Sequence, residues 1–276
     1  MKEKYNRLLN HIKSNKKVFT IYFILRVFVI GTMIAQFFNQ NYENVFLCLL
    51  TLILFMVPSF IEVNFRIDFP DALEIIILLF IFSAEILGEI RSYYITYPFW
   101  DTMLHTVNGF LAAAVGFCLV DLLNRNERFM LKLSPLFTAI VAFCFSMTIG
   151  VMWEFFEYGM DTFFGYDMQK DTIIYAINSV TFDPSMQNIV HRISDIESVV
   201  INGKDLGLGG YLDIGLIDTM KDMFVNFIGA VIFSIIGYFY VKYKGKGRSK
   251  VASNFIPIIE NWDDNKIVDN KITDSE

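Results

Sequence analysis

The sequence predicts an all-α protein, a polytopic bundle of about six membrane-spanning helices with a long extracytoplasmic loop between the fifth and sixth. Three observations predict it. Of 276 residues, 54% are hydrophobic and 29 are Phe, and the mean hydropathy is +0.45; a soluble domain of this length rarely carries so much apolar surface. Several apolar runs reach the ~20 residues that cross a bilayer. Basic residues also recur in alternate connections, as they do where loops face the cytoplasm.

Residues 1–17 form a basic N-terminal segment with Lys2, Lys4, Arg7, Lys13, Lys16 and Lys17. The first span follows from Val18 to Phe38. It holds Arg26 at its middle and no small-residue cleavage site comes after it, so it reads as a retained helix and not a signal peptide. Arg26 needs a carboxylate, a carbonyl or a route to the headgroups. The second span covers about Asn44 to Ile61, with Pro58 marking a kink or stop. The third runs from about Ala72 to Gly88 and carries Glu74 and Glu85 near its ends. Tyr93, Tyr94, Tyr97, Phe99 and Trp100 then supply the aromatic composition of a membrane–water interface.

The fourth span, Phe99 to Val120, ends in a loop with Arg125, Arg128 and Lys132. The fifth runs from about Ser134 to Tyr158, and the sixth from Ile217 to Val241. The polar connection between them, 159–217, has weakly amphipathic pieces for which short surface helices are expected. The tail 242–276 opens with Lys242, Lys244, Lys246, Arg248 and Lys250, then turns acidic, a composition expected to be disordered. The bundle is thus 18–241, with both termini in the cytoplasm and 159–217 outside. The 3 Cys (Cys48, Cys118, Cys144) all fall inside apolar runs, which excludes a disulfide framework. No nucleic-acid motif is present.

Polar residues enter the spans at matched depth. Asp101 and His105 are one helical turn apart on one face. At ~1.5 Å per residue, His105 lies roughly 9 Å inside the outer surface. Glu154 and Glu157 sit near the outer end of the fifth span, Glu85 near that of the third. Asp218, Asp222 and Asn226 descend from the outer end of the sixth at four-residue steps. Carboxylates with one imidazole and one amide suit a divalent Mg, Mn or Zn ion held between helices. The candidate metal ligands are therefore Asp101, His105, Glu154, Glu157, Asp218, Asp222 and Asn226. The candidate catalytic groups are His105, Glu154 and Glu157, as general acid or base.

Taken singly, each has a purely structural use: Asp101 or Asp218 as a helix N-cap, Asp222 in a first turn, Asn226 as interhelical glue, His105 as a hydrogen-bonded bundle residue. Asp161, Asp167 and Asp171 are expected to be solvated, and Asp213 lies close enough in sequence to reach the mouth of the site. A short echo links Asp101-Thr-Met-Leu-His105 to Asp218-Thr-Met-Lys-Asp222, which suggests that both segments face one cavity.

The motifs Asp101-x-x-x-His105-x-x-x-Gly109, Glu154-x-x-Glu157 and Asp218-Thr-x-x-Asp222-Met resemble those of the YjdF-like bacterial inner-membrane proteins. More distantly they resemble the VanZ-like membrane proteins, to which Asp222-x-x-x-Asn226-x-x-Gly229 is also similar. The resemblance covers the fourth to sixth spans. It implies a bacterial cell membrane and polar residues converging within the bundle; it brings no reaction with it. The expected function is that of a metal-assisted membrane enzyme, of hydrolase or phosphoryl-transfer type, acting on a lipid-linked or envelope substrate. The alternatives are a proton-coupled carrier and a non-catalytic scaffold. Against a carrier, only Arg26 and Glu74 are polar candidates toward the cytoplasmic side.

Overall fold

The computed structural model describes residues 16–65, 67–125, 133–243 and 258–259. Most of the basic N-terminal segment, the loop holding Arg128 and Lys132, and nearly all of the tail lie outside the described residues. Helix α1 (Lys16–Phe38) is followed by α2 (Tyr42–Leu54) and α3 (Val57–Phe65). Helix α4 (Asp71–Phe82) continues without a break into a π-helix, Ser83–Ile90. A single turn, α5 (Tyr93–Thr96), precedes α6 (Trp100–Arg125), α7 (Pro135–Phe164) and α8 (Leu216–Lys242).

Among the described residues, five helical segments are long and apolar enough to cross a membrane: Lys17–Phe38, Tyr42–Glu62, Trp100–Val120, Pro135–Phe164 and Leu216–Lys242. The second is interrupted at Phe55–Met56, just ahead of Pro58. A proline early in α3 is tolerated because its missing N–H has no acceptor to lose there. The expected third span is helical, but it holds Glu74 and Glu85, with Glu89 just past its end, and stands apart from these five. Observed helix ends extend the expected ones by a few residues. The largest difference is α7, which continues six residues past Tyr158 to end at Gly165, whose φ of +70° suits a glycine.

The described residues pack in two groups. Leu25, Val29, Cys48, Phe55, Leu78 and Ile86 join α1, α2 and α4 to the π-helix. Ala113, Ala114, Phe117, Ala142, Ala230, Phe233 and Tyr240 join α6, α7 and α8, with Phe69 and Leu73 at the edge. Phe233 meets Phe110 and Phe117 edge-on, with ring centroids 5.1 and 5.9 Å apart. In contrast, Phe28, Phe60, Phe155 and Phe224 are all more than 60% exposed. Aromatic side chains turned outward from the middle of long helices are costly in water and are solvated by hydrocarbon. Cys48 and Cys118 are buried as expected, whereas Cys144 lies on an outward face; all three are free thiols.

Small residues set how closely α6 and α8 approach. A Cβ on Gly109 would strike the Asn226 carbonyl, and one on Gly229 would strike the Thr106 carbonyl. Two helices with reciprocal glycines can bring their backbones into contact. Ser146 on α7 closes the junction by donating to the Gly109 carbonyl at 2.7 Å.

The connection between α7 and α8 differs from expectation. In place of surface helices it forms short antiparallel pairs, Ile173–Ile174 with Tyr211–Leu212, Ile177–Ser179 with His191–Ile193, and Val200–Ile201 with Lys204–Asp205. Carboxylates organise it. Asp183 accepts from the Ser185 hydroxyl (2.6 Å) and from the amides of Ser185, Gln187 and Ile189. Those bonds, the Ser185 hydroxyl foremost, hold its carboxyl down to about 2. Within the tail, Ile258–Ile259 pairs antiparallel with Ile67–Asp68.

Candidate functional site

Helices α6, α7 and α8 bring four of the expected acids and the histidine together above the glycine crossing. Asp101 and His105 lie one turn apart, with Asp101 Oδ1 3.5 Å from His105 Nε2. From α8, Asp222 Oδ2 approaches the same nitrogen to 3.9 Å. From α7, Glu154 Oε1 lies 3.9 Å from His105 Nδ1. The imidazole therefore stands between carboxylates on both edges. Ligand atoms of Asp101, His105 and Asp222 fall within 4.8 Å of one another, and so do those of His105, Glu154 and Glu157.

Burial makes this arrangement demanding. The side chains of Asp222 and Glu154 are 2% and 5% exposed, while Asp101 keeps 32% of its surface open. Glu154 Oε2 and Asp222 Oδ1 are fully buried and have no hydrogen-bond partner among the described residues. A buried carboxylate oxygen left alone is costly. Glu157 is better served, since Oε1 accepts from Trp153 Nε1 at 2.8 Å within α7. Thr219 of α8 lies within hydrogen-bonding reach of the Glu154 carboxyl.

Two residues of the expected ligand set make hydrogen bonds of their own beside these groups. Asn226 lies one turn deeper than Asp222, in the crossing itself. Its Oδ1 accepts from Asn108 Nδ2 at 3.4 Å, and its Nδ2 points at the Ser146 carbonyl and the Met147 sulfur. Gly150 leaves the room for it, because a Cβ there would come within 2.6 Å of Asn226 Nδ2. Asn226 is thus interhelical glue and the floor of the site. Asp218 is buried one turn before Asp222 on the same helix and accepts from the Lys170 amide at 2.8 Å.

That bond belongs to a strap across the N-terminal end of α8. Asp161 accepts from the amides of Met168 (2.6 Å) and Gln169 (2.8 Å), so it is not simply solvated. Gln169 Nε2 donates to Thr219 Oγ1. Asp213 accepts from the amides of Thr172, Ile217 and Gly215, capping α8. Burial alone would raise its carboxyl, but these amides outweigh it and hold it below the usual range. Asp167 and Asp171 stay exposed. Residues 168–172 are thus tied to Asp161, Asp213, Asp218 and Thr219 around the start of α8.

Glu85 is in the π-helix and joins neither ligand group. Trp100 Nε1 donates to the Ser83 carbonyl at 3.3 Å and so ties the start of α6 to the π-helix. Arg26 lies far in sequence from these residues, with its guanidinium 4.3 Å above the Tyr22 ring. Sequence reasoning missed Trp153, Thr219, Asn108 and Ser146. Trp153 carried a readable signal, since it precedes Glu157 by one helical turn.

A family model described as "Predicted membrane protein (DUF2238)" matches residues 20–243. An uncharacterised protein of Thermotoga maritima is 24% identical over 129 residues, covering 45% of this chain and 65% of its own length. No solved structure matches.

Proposed function

The chain belongs to the DUF2238 family of membrane proteins, and from that premise we propose a six-span protein of a bacterial cell membrane that binds a divalent cation and uses it in hydrolysis or phosphoryl transfer on a lipid-linked or envelope substrate. The resemblance to YjdF-like and VanZ-like proteins rests on the same residues and supports the same compartment. Support for a sixth span comes from parity. Ile258–Ile259 pairs with Ile67–Asp68, which puts the two segments on one side of the bilayer. An even number of crossings must separate them. Helices α6, α7 and α8 supply three, and the helical run Asp71–Ile90 supplies the fourth. Lys16 and Lys17 at the start of α1 and Lys242 at the end of α8 favour a cytoplasmic side for both termini.

The observation that carries the cation is a pair of partnerless buried oxygens, Glu154 Oε2 and Asp222 Oδ1, on two carboxyl groups whose other oxygens approach opposite edges of His105. Four carboxylates around one imidazole are an excess of negative charge in a low-dielectric place, and a divalent ion offsets it. A bound ion of this kind polarises a phosphoryl or carbonyl oxygen and lowers the pKa of a bound water. His105, Glu154 and Glu157 would then hold or move the proton. A carrier would need a path below the site, where Gly109, Gly150 and Asn226 are packed against one another.

Metal analysis of detergent-purified protein, joined to a melting series with chelator and with Mg²⁺, Mn²⁺ or Zn²⁺, tests this. Binding at a hundredfold excess over Kd adds about 2.7 kcal/mol to stability, a rise of several degrees in Tm. His105→Ala should remove the response. Equal melting in every condition and no stoichiometric ion would leave the cluster as a proton-linked or structural network.

A further inference from the structure

We infer that the ion sits on the Nε2 edge of His105, ligated by Asp101, His105 and Asp222, while Glu154 and Glu157 on the Nδ1 edge orient the imidazole and hold the reaction's proton. This rests on the cation reading above and divides its seven-residue set into ligands and partners. Two ligand groups share His105, and a neutral imidazole has one nitrogen with a free lone pair while the other carries the proton. Filling one edge with a metal therefore makes the other edge a donor.

Three observations choose between the edges. Asp101 Oδ1 and Asp222 Oδ2 converge on the single nitrogen Nε2, at 3.5 and 3.9 Å, whereas Glu154 faces Nδ1 at 3.9 Å. Two carboxyls converging on one point repel unless a proton or a cation lies among them. Glu157 already has a donor, since Trp153 Nε1 bonds it at 2.8 Å. Glu154 faces His105 Nδ1 at 3.9 Å, where an outer carboxylate fixes the ring of a ligating histidine. Lastly, openness differs between the edges. Asp101 is 32% exposed, whereas Glu154 is 5% exposed. A catalytic ion keeps a coordination position free for water or substrate, which the Asp101 edge offers.

The assignment also separates roles on α7. Glu154 orients His105 through Nδ1 and is a positioning residue. Glu157 is left with one oxygen on Trp153 and the other free for a proton, across the imidazole from the ion.

The test is Mn²⁺ binding to the purified full chain, followed by electron paramagnetic resonance and repeated with Zn²⁺ by metal analysis. Asp222→Asn and Asp101→Asn should each weaken Mn²⁺ at least a hundredfold. Glu154→Gln keeps an amide oxygen that accepts from Nδ1–H, so it should weaken Mn²⁺ less than tenfold. Glu157→Gln should change it less than threefold while removing any hydrolytic activity found. Each variant is first checked for an unchanged gel-filtration profile, and two ligand variants guard against one that fails to fold. Loss of Mn²⁺ in Glu154→Gln and Glu157→Gln, with Asp101→Asn and Asp222→Asn unaffected, would put the ion on the Nδ1 edge and overturn the assignment while keeping the cation. A wild-type protein that binds no ion would overturn the cation reading itself.

Discussion

Asp183 shows what a single carboxylate does in this chain. It turns one exposed loop into a defined one by gathering three amides and a hydroxyl, and His191 Nε2 stands 3.8 Å away. Its carboxyl is held at about 2 by those donors, against about 3.9 in an unfolded chain. The folded value lies below the unfolded one. The stabilisation is therefore complete above about pH 4 and is lost as pH falls through about 2. The amide resonances of Gln187 and Ile189 should shift together in that window, and Asp183→Asn should flatten the titration. Resonances that stay still to pH 2 would deny Asp183 this role. Its organising role was not legible in the sequence, because loop aspartates bonded to nearby amides look like any solvated acids. His105 and Asp101 were legible, since a four-residue spacing on a helix leaves them no choice but one face.

At the scale of elements, the helices were readable from apolar length, and their partners were not. Nothing in the spacing of Asp222 and Asn226 says that the first faces a histidine and the second an asparagine. The difference arises at the crossing of α6 and α8, where Gly109 and Gly229 let the backbones touch. The strands between α7 and α8 were missed for another reason: at two or three residues each, they are too short to show alternation. The crossing makes a prediction of its own. Gly229→Ala would put a methyl against the Thr106 carbonyl and 2.8 Å from the Phe110 amide nitrogen. It should destabilise by about 1–3 kcal/mol and lower Tm by several degrees. Gly159→Ala is the control on α7, with only the Phe163 ring at 3.9 Å. There the change should stabilise by about 0.5–1 kcal/mol, as alanine does in a helix. Equal effects at both positions in thermal denaturation would show that close approach at the crossing does not matter.

For the molecule as a whole, the closed floor has an electrical consequence. On the proposed topology and cation, a site closed at Asn226 and reached from outside would exchange its ion with one compartment only. The ion then travels part of the way through the transmembrane field and stops. With His105 about 9 Å into a core of roughly 30 Å, a divalent ion senses about 0.6 of an elementary charge moved through the full field, or about 1.4 kcal/mol per 100 mV. Binding from outside should therefore tighten roughly tenfold for each 100 mV of inside-negative potential. Proteoliposomes clamped with a potassium gradient and valinomycin would show it in the Mn²⁺ affinity. A reversed sign would mean that the cluster opens to the cytoplasm. On this account an energised cell holds its ion more firmly than a depolarised one, with no moving part and no voltage-sensing helix.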